Sequence, residues 1–446
     1  MDKKKQKELL KIAGPAVLES MVSVVIASID TKMISVLGKP AISAISFTTQ
    51  PKLIVFSIFY ALGTAVSVFV AQAYGKKDKK EGNEYFNSIL WITSVLSIVL
   101  GILLYIFARP VMAICNRQPD TLDMSVTFFR IIILFSVFQA LSVILNAALR
   151  GIGKTRVTLV SNIAMGVIDI FVNYLLIEGH AGFPRLEVAG DAIATVLGSV
   201  AACMISIIAI AREADFLSIR GIFSFEWMKN SALPMNIRSK AGNIVVENMF
   251  MRIGFLLSSI ILSGLSSSET AVYYVGMILL NYSFAFGDGI QNAVVALTGR
   301  SMGAKDYKSL REYFRIAVFI GVVCSVSLSI IYIASSRWFF GLFFSDADAI
   351  TDGVRTSCIA AVLTLLQIIR IISVGTMRGI GEVKDPRRIA TVCVFILNPL
   401  LSLFFTHAIS FGIWGIWLAS VITQLVWFIM GALLCRKHLS ALRSDT

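Results

Sequence analysis

The sequence predicts an all-α integral membrane protein with twelve transmembrane helices, arranged as two parallel six-helix repeats with a central cleft. Three observations predict this class. The chain of 446 residues is 57% hydrophobic and only 15% charged, more apolar than a water-soluble fold can bury. It contains twelve apolar segments long enough to cross a bilayer, which takes about 20 residues of helix. Motifs of its first half recur in its second half at one constant separation.

The internal repeat is clearest in a basic segment that follows the second apolar segment of each half. Residues 70–86 read VAQAYGKKDKKEGNEYF and residues 298–314 read TGRSMGAKDYKSLREYF, a separation of 228 residues. The same separation relates the RGIG sequence that begins at Arg150 to the one that begins at Arg378, and it relates Glu19 to Glu247. One separation at three places indicates a duplicated half.

The duplication predicts the domains. We expect an N-terminal six-helix lobe over 1–212, a cytoplasmic linker over 213–235 and a C-terminal six-helix lobe over 236–446. Because each half has an even number of membrane crossings, the two repeats must run in parallel about an axis along the membrane normal, and a cleft between them is typical of a transporter.

The predicted helices follow from the apolar segments and from the motifs that end them. In the first half they are 12–37, 50–74, 86–108, 123–149, 156–178 and 190–211. In the second half they are 236–264, 272–299, 314–336, 350–377, 388–408 and 412–434. The first segment follows a lysine-rich start but contains Glu19 and Asp30 and lacks a cleavage site, so it predicts a membrane helix rather than a signal peptide. In each half the second helix ends at the basic segment and the fourth ends at RGIG. We expect both RGIG sequences to close tight turns, since glycine reaches positive φ without a side-chain clash.

The distribution of lysine and arginine predicts the orientation. Counted together with the adjoining helix ends, both termini and five alternate loops hold 29 of the 40 basic residues and the six loops on the other side hold 7, and the remaining four lie deeper within predicted helices. Cytoplasmic loops of membrane proteins carry the excess of positive charge. We therefore predict that both termini and the linker are cytoplasmic, and that the net charge of +13 faces anionic lipid rather than nucleic acid.

The sequence contains no pattern typical of an enzyme or a metal site. Gly153-Lys154-Thr155 resembles the end of a phosphate-binding loop, but that loop needs a glycine where this chain has Ala148. The six cysteines are scattered singly and the three histidines lie at helix ends or in tails. We predict no catalytic residues, no metal and no cofactor.

Acidic residues inside the predicted helices are the candidate functional residues, because an ionised side chain is costly in hydrocarbon. They are Glu19, Asp30, Asp169, Glu247 and Asp288. Asp30 and Asp169 lie roughly 10 and 13 Å from the outer ends of their helices at 1.5 Å per residue, so they can share one polar pocket. Asn173 lies one turn from Asp169. Two buried carboxylates in one pocket resist both being ionised, which predicts a proton site.

Structural interpretations remain open beside the functional ones. Either of the two first-lobe acids can instead pair with Lys32 or Arg130. In the second lobe, Glu247, Gln367 and Arg370 lie at similar depth, and a Glu247–Arg370 ion pair competes evenly with a cation site. Glu19 and Asp288 are secondary candidates. Glu19 shares a helical stripe with Asp30, and Pro15 one turn before it predicts a bend in the first helix.

The doubled pattern resembles that of the multidrug and toxic compound extrusion (MATE) family. The resemblance rests on AQAYGKKD with TGRSMGAKD, on LRGIGKT with MRGIGE, on Pro15 with IDTKMISVLG, and on GDAIATVLGS from Gly190 to Ser199. It covers nearly the whole chain. It implies secondary active efflux, in which an inward proton or sodium ion is exchanged for an outgoing organic compound that is often cationic and amphipathic.

The resemblance also implies roles for particular residues. Asp30 and Asp169 stand where many members place acids implicated in cation coupling, and Pro15 stands at the bending site. Glu247 stands at an acid that some bacterial members use for sodium. At the position of the second acid of that sodium site this chain has Gln367. At the position of an asparagine common in other members it has Met165. These differences favour a proton over sodium as the coupling ion.

The leading functional hypothesis is therefore an ion-coupled antiporter for multidrug efflux, acting as a monomer in the plasma membrane on a small organic substrate. A flippase for lipid-linked sugars is the alternative, and its diphosphate cargo would need a basic cavity rather than an acidic one. A channel or a non-transporting scaffold is the third hypothesis. A channel commonly places its pore on an oligomer axis, whereas a two-lobe repeat places the cleft within one chain.

Overall fold

The computed structural model describes residues 2–116, 119–213, 216–219, 235–262, 265 and 267–444. All regular structure in these residues is helical. The predicted linker, 213–235, falls mostly outside them.

The helices of the first half are α1 (Lys3–Ile34), α2 (Lys39–Lys76), α3 (Lys79–Ile106), α4 (Ala108–Cys115), α5 (Pro119–Leu134), α6 (Ser136–Gly151), α7 (Thr155–Leu176) and α8 (Glu187–Glu213). Those of the second half are α9 (Met235–Leu262), α10 (Ser267–Gly303), α11 (Tyr307–Gly341), α12 (Ala347–Gly379), α13 (Lys384–Ala408, with π-helical turns) and α14 (Ile413–Ser444).

Twelve of the predicted spans have a counterpart among these fourteen described helices, with α5 and α6 together forming one span and the short α4 forming none. Eleven are long and apolar enough to cross a membrane, and the twelfth span is the pair Thr121–Leu134 and Ser136–Gly151, which is bent by 48°. Many large apolar side chains point outward: Ile102 on α3 is 51% exposed and Ile330 on α11 is 62% exposed. Such surfaces are stable against lipid rather than water. The predicted all-α membrane fold is confirmed.

The basic segments of the two halves fold in the same way. After α2, Lys77 adopts a left-handed conformation with φ 60°, and after α10, Lys305 does so with φ 56°. Each is followed by an aspartate that caps the next helix: Asp78 Oδ1 accepts from Glu81 N at 2.9 Å, and Asp306 Oδ1 accepts from Ser309 N at 3.0 Å. A side-chain oxygen at this position satisfies an amide that the helix leaves free.

The two RGIG sequences also close matching turns. The amide of Gly153 donates to Arg150 O and that of Gly381 donates to Arg378 O, both at 2.8 Å. The glycines have φ of 77° and 89°, as the sequence predicted, because only glycine reaches this region without a Cβ clash. The duplicated sequence therefore produces duplicated local structure.

The chain forms two compact units. The N-terminal unit is Met21–Ala241, and the C-terminal unit combines Met1–Ser20 with Gly242–Thr446. The predicted N-terminal lobe included residues 1–20, whereas in the structure these residues pack in the core of the C-terminal unit. Leu9 is fully buried there beside Leu297, and Lys5 donates to Glu312. Helix α1 thus starts in one unit and ends in the other, and it runs unbroken through Pro15.

Candidate functional site

Two of the predicted site residues meet inside the N-terminal unit. Asn173 Nδ2 on α7 donates to Asp30 Oδ1 on α1 at 2.7 Å. Asn173 is fully buried. A hydrogen bond from a buried side chain to a half-buried one on another helix fixes their relative position, because breaking it leaves the buried group unsatisfied. The structure therefore brings Asp30 and Asn173 together as the sequence predicted.

A third carboxylate, which the sequence analysis did not identify, belongs to the same cluster. Asp191 on α8 is 1% exposed, and its carboxyl group lies close enough to that of Asp30 for the two charges to interact. Two carboxylates that are close together and shielded from water resist being ionised at the same time. The pair is therefore a place where one proton can be held.

Asp169 completes the acidic part of the cluster. It lies on α7, one turn before Asn173, and is 6% exposed. The Thr195 side chain on α8 lies close to its carboxyl group, and the charge of Asp169 interacts with that of Asp30. Its Oδ1 atom has no hydrogen-bond partner among the described residues. An open acceptor on a buried carboxylate is a place where a proton or a cation can bind.

The charge that faces these acids is Lys52 on α2. Its ammonium group interacts most strongly with Asp191, then with Asp30 and Asp169, and it lies 5.7 Å from the ring centroid of Phe128. The cluster thus holds three carboxylates and one ammonium group. The alternative pairings with Lys32 and Arg130 do not form among the described residues.

Asp191 and Lys52 were missed for physical reasons. Both lie near the predicted ends of their helices, where charges are common because they reach water or lipid headgroups. Arg130, which the sequence placed deeper, lies over the Tyr105 ring at 5.3 Å instead. The sequence signal for Asp191 was the GDAIATVLGS segment, which was noted only as a family motif.

Two glycines allow the helices of the cluster to approach one another. A Cβ on Gly198 of α8 would lie 2.7 Å from the carbonyl oxygen of Met165 on α7, and 3.5 Å from Asp169 Cβ. A Cβ on Gly166 would lie 1.9 Å from Ile26 Cδ1 on α1. Larger residues at these positions would separate the helices that carry the carboxylates.

The Glu247–Arg370 pair, which the sequence left open beside a cation site, does not form among the described residues, because Glu247 pairs with a different arginine. Arg378 Nη2 on α12 lies 2.8 Å from Glu247 Oε1 on α9, and Glu247 is 1% exposed. Arg370, two turns earlier on α12, instead lies with its guanidinium carbon 3.7 Å from the Trp427 ring centroid. Residue number predicts how deep Arg370 lies along its helix but not its orientation around the helix.

The remaining candidates also lie in the C-terminal unit. Glu19 is 7% exposed. Gln367 is 1% exposed, and its Nε2 atom is 3.5 Å from Leu280 O. The Asp288 side chain is exposed, and it interacts electrostatically with Arg378, Arg370 and Arg252. Three arginines make this region unlike the acidic cluster. Within the described part of the chain, no group of three or more His, Cys, Asp or Glu side chains is placed to hold a metal ion.

A family model described as MatE matches the chain twice, over residues 15–175 and 244–404. Together the two matches cover more than half of the chain. They have equal length and lie one in each half, as the predicted duplication requires.

Known transporters resemble the chain over nearly its full length. The uncharacterized transporter YisQ of Bacillus subtilis is 23% identical over 433 residues, which are 96% of this chain and 93% of YisQ. The probable multidrug resistance protein NorM of Thermotoga maritima is 22% identical over 420 residues, 93% of this chain and 89% of NorM. A solved structure, the outward-facing conformation of a multidrug resistance MATE family transporter of the MOP superfamily, has a TM-score of 0.89 at 16% identity and covers 98% of this chain and 96% of that one. These likenesses confirm the two-repeat membrane fold.

Proposed function

The chain belongs to the multidrug and toxic compound extrusion (MATE) family, and we propose that it is a secondary active efflux transporter that exchanges an inward proton for an outgoing organic compound. The compound is a cationic amphipath. The observation that carries this proposal is the cluster of Asp30, Asp169, Asp191 and Asn173 in the N-terminal unit, in which all but the half-buried Asp30 are buried. In this proposal the Asp30 and Asp191 carboxyl groups share a proton and form the coupling site, and the multidrug names of relatives such as NorM support the substrate class.

The coupling works through competition for negative charge. With Asp30 and Asp191 sharing a proton, the cluster has two remaining negative charges and one positive charge from Lys52. The net charge of the cluster is then −1. A further proton on Asp169 would make the net charge zero and so weaken the attraction for a cationic substrate. Substrate and proton therefore favour different states of the cluster, which is the requirement for exchange.

Helix α1 links this chemistry to a conformational change. Asp30 lies in the part of α1 that belongs to the N-terminal unit, whereas residues 3–20 of the same unbroken helix belong to the C-terminal unit. A change in how Asp30 is held therefore acts on a helix that is anchored in both units. We propose that α1 couples protonation of the cluster to the conformational change that alternates access to the two sides of the membrane.

The coupling ion in this proposal is a proton rather than sodium, and no cofactor takes part. In the C-terminal unit, Arg378 already neutralises Glu247, and Gln367 supplies no charge. An acidic cluster and multidrug-named relatives favour a cationic drug over a lipid diphosphate. We propose that the protein acts as a monomer in the plasma membrane, with both termini cytoplasmic, and that its partners are the bilayer and a small organic substrate.

Proteoliposomes test this function. The purified protein is reconstituted, loaded with tetraphenylphosphonium as the probe cation, and exposed to a pH gradient or to a sodium gradient applied separately. We expect uphill movement of the probe only with the pH gradient. Movement driven only by sodium would contradict the coupling ion, and only downhill movement would indicate a channel.

A further inference from the structure

Arg370 is a buried cation that has no direct acidic partner in the described part of the chain. It lies within α12, only 5% of its surface is exposed, and its guanidinium group lies against the face of Trp427 on α14. Its Nε atom has no hydrogen-bond partner. Among the residues that the structure describes, the guanidinium group forms neither a hydrogen bond nor a salt bridge. Within that part of the chain, Arg370 therefore forms no hydrogen bond or salt bridge with the Glu247–Arg378 pair.

Stacking on an indole satisfies only part of what a guanidinium needs. The aromatic face attracts the positive charge. The five N–H donors, however, lie in the plane of the guanidinium and point away from a ring that is stacked on it. Buried donors are costly when they have no acceptor, and a buried charge is more costly still. The position therefore requires an acceptor that approaches Arg370 in its own plane.

The polar atoms near Arg370 on the two packed helices lack partners as well. Gln367, one turn before Arg370, is 1% exposed and its Oε1 atom has no partner. Trp427 is 3% exposed and its Nε1 atom has none either. On α14, the Oε1 atom of Gln424, one turn before Trp427, is also buried without a partner. Two of these four groups, Arg370 Nε and Trp427 Nε1, are N–H donors at a single contact, and such donors indicate a site for an acceptor rather than one isolated defect.

In the described part of the C-terminal unit, neither nearby acid forms an ion pair with Arg370, so the position beside its guanidinium is open to a ligand anion. Glu247 is in direct contact with Arg378 at 2.8 Å. Asp288 is the acid that attracts Arg370 most strongly, yet it forms no salt bridge with it in the described part of the chain, and its side chain is exposed. A ligand carboxylate can therefore approach Arg370 without displacing an existing ion pair.

We propose that Arg370 is the centre of a binding site for the carboxylate of an organic substrate, with the Trp427 N–H as an additional donor. The planar guanidinium matches a carboxylate with two parallel hydrogen bonds. This inference rests on the proposed function in one respect, that the chain binds organic compounds.

A matched pair of dyes tests the site. Rhodamine 110 carries a free carboxylate, and rhodamine 123 is its methyl ester, so the two differ only in that group. Binding to the purified protein is measured by fluorescence polarisation without any ion gradient. In Arg370→Gln we expect the affinity for rhodamine 110 to fall by about tenfold to a hundredfold, the value of a charged hydrogen bond, and the affinity for rhodamine 123 to change by less than about threefold.

Two further variants keep the test decisive if Arg370→Gln folds poorly. Arg370→Lys retains the charge but loses the planar pair of donors, and Trp427→Phe retains a ring but loses the N–H. Both should weaken rhodamine 110 selectively. Arg130→Gln is the matched control, because Arg130 also lies over an aromatic ring but belongs to the N-terminal unit. It should leave the ratio of the two affinities unchanged.

The outcomes separate this inference from the proposed function. Equal weakening of both dyes, or no binding of rhodamine 110 to the wild-type protein, would overturn the carboxylate site and assign Arg370 a structural role. Selective weakening of rhodamine 110 supports the site even if proteoliposomes show no proton-driven transport. That second failure would contradict only the coupling mechanism.

Discussion

Glu247→Gln should destabilise the protein, because the structure places Glu247 in a buried ion pair. At 2.8 Å and an effective dielectric constant of about 20, the attraction between Glu247 and Arg378 is roughly 6 kcal/mol before desolvation. The substitution keeps the shape of the side chain but leaves the Arg378 guanidinium, whose side chain is 9% exposed, without its counter-charge. Breaking one partner of a buried pair costs about 3–5 kcal/mol.

The assay is thermal unfolding of the purified protein in detergent. For a unit of this size about 1 kcal/mol shifts the midpoint by about 2–4 °C, so the expected loss is roughly 6–20 °C. Glu312→Gln is the matched control, since Glu312 pairs with Lys5 but its side chain is 32% exposed, and exposed pairs contribute only about 0–1 kcal/mol. The double variant Glu247→Leu with Arg378→Met should recover most of the loss. An unchanged midpoint with selective loss of sodium-dependent transport would refute the structural role and restore a cation site at Glu247.

Three further predictions follow from single contacts. Gly198→Ala should lower the free energy of unfolding by about 1–3 kcal/mol and reduce transport, because the new Cβ would meet the Met165 carbonyl oxygen. Gly14→Ala is the control, since a Cβ there would have nothing within 4 Å. Equal melting points for the two variants would contradict the close packing. Lys52→Gln removes the positive charge that faces the carboxylates and should let the acidic cluster bind sodium, measured with ²²Na⁺. Lys32→Gln should not have this effect. Unchanged sodium binding in Lys52→Gln would exclude Lys52 from the cluster. Asp306→Ala should cost about 1 kcal/mol. Hydrogen bonds from the Ser309 side chain and backbone hold the pKa of Asp306 below its usual range. The stabilisation that Asp306 provides is therefore fully present above the unfolded pKa of about 4, and it is lost as the pH falls through the lower, folded pKa. A difference in melting point that persisted at still lower pH would refute this.

Periodic and local features of the fold could be predicted from the sequence. Apolar length determined the twelve spans, since a helix must cross a fixed thickness of hydrocarbon. Glycines after arginine predicted the positive φ at Gly153 and Gly381, because that conformation excludes a Cβ. The left-handed Lys77 and Lys305 had no such signal. Both lie between a helix end and a capping aspartate, and that local geometry determines their conformation.

The site was predictable in part, for a different reason. Depth along a helix follows from residue number, so the approach of Asp30 to Asn173 could be expected. The direction of a side chain around a tilted helix depends on how its neighbours pack. That is why Arg378 rather than Arg370 reaches Glu247. Likewise, residues 3–20 of α1 pack in the C-terminal unit because their apolar face fits α10 and α11, a contact that no repeat pattern records.

The most direct test of the central claim, exchange of a proton for a cation at one acidic cluster, measures proton release. Tetraphenylphosphonium is added to the purified, weakly buffered protein, and a pH-sensitive dye reports released protons while binding is measured in parallel. We predict release of about one proton per bound cation in the wild-type protein, because both ligands use the same negative charge. Asp30→Asn and Asp169→Asn should remain folded and abolish the release, since asparagine keeps the shape without titrating. Undiminished release in both variants would contradict the account and move the coupling site elsewhere, with Glu19 the next residue to test.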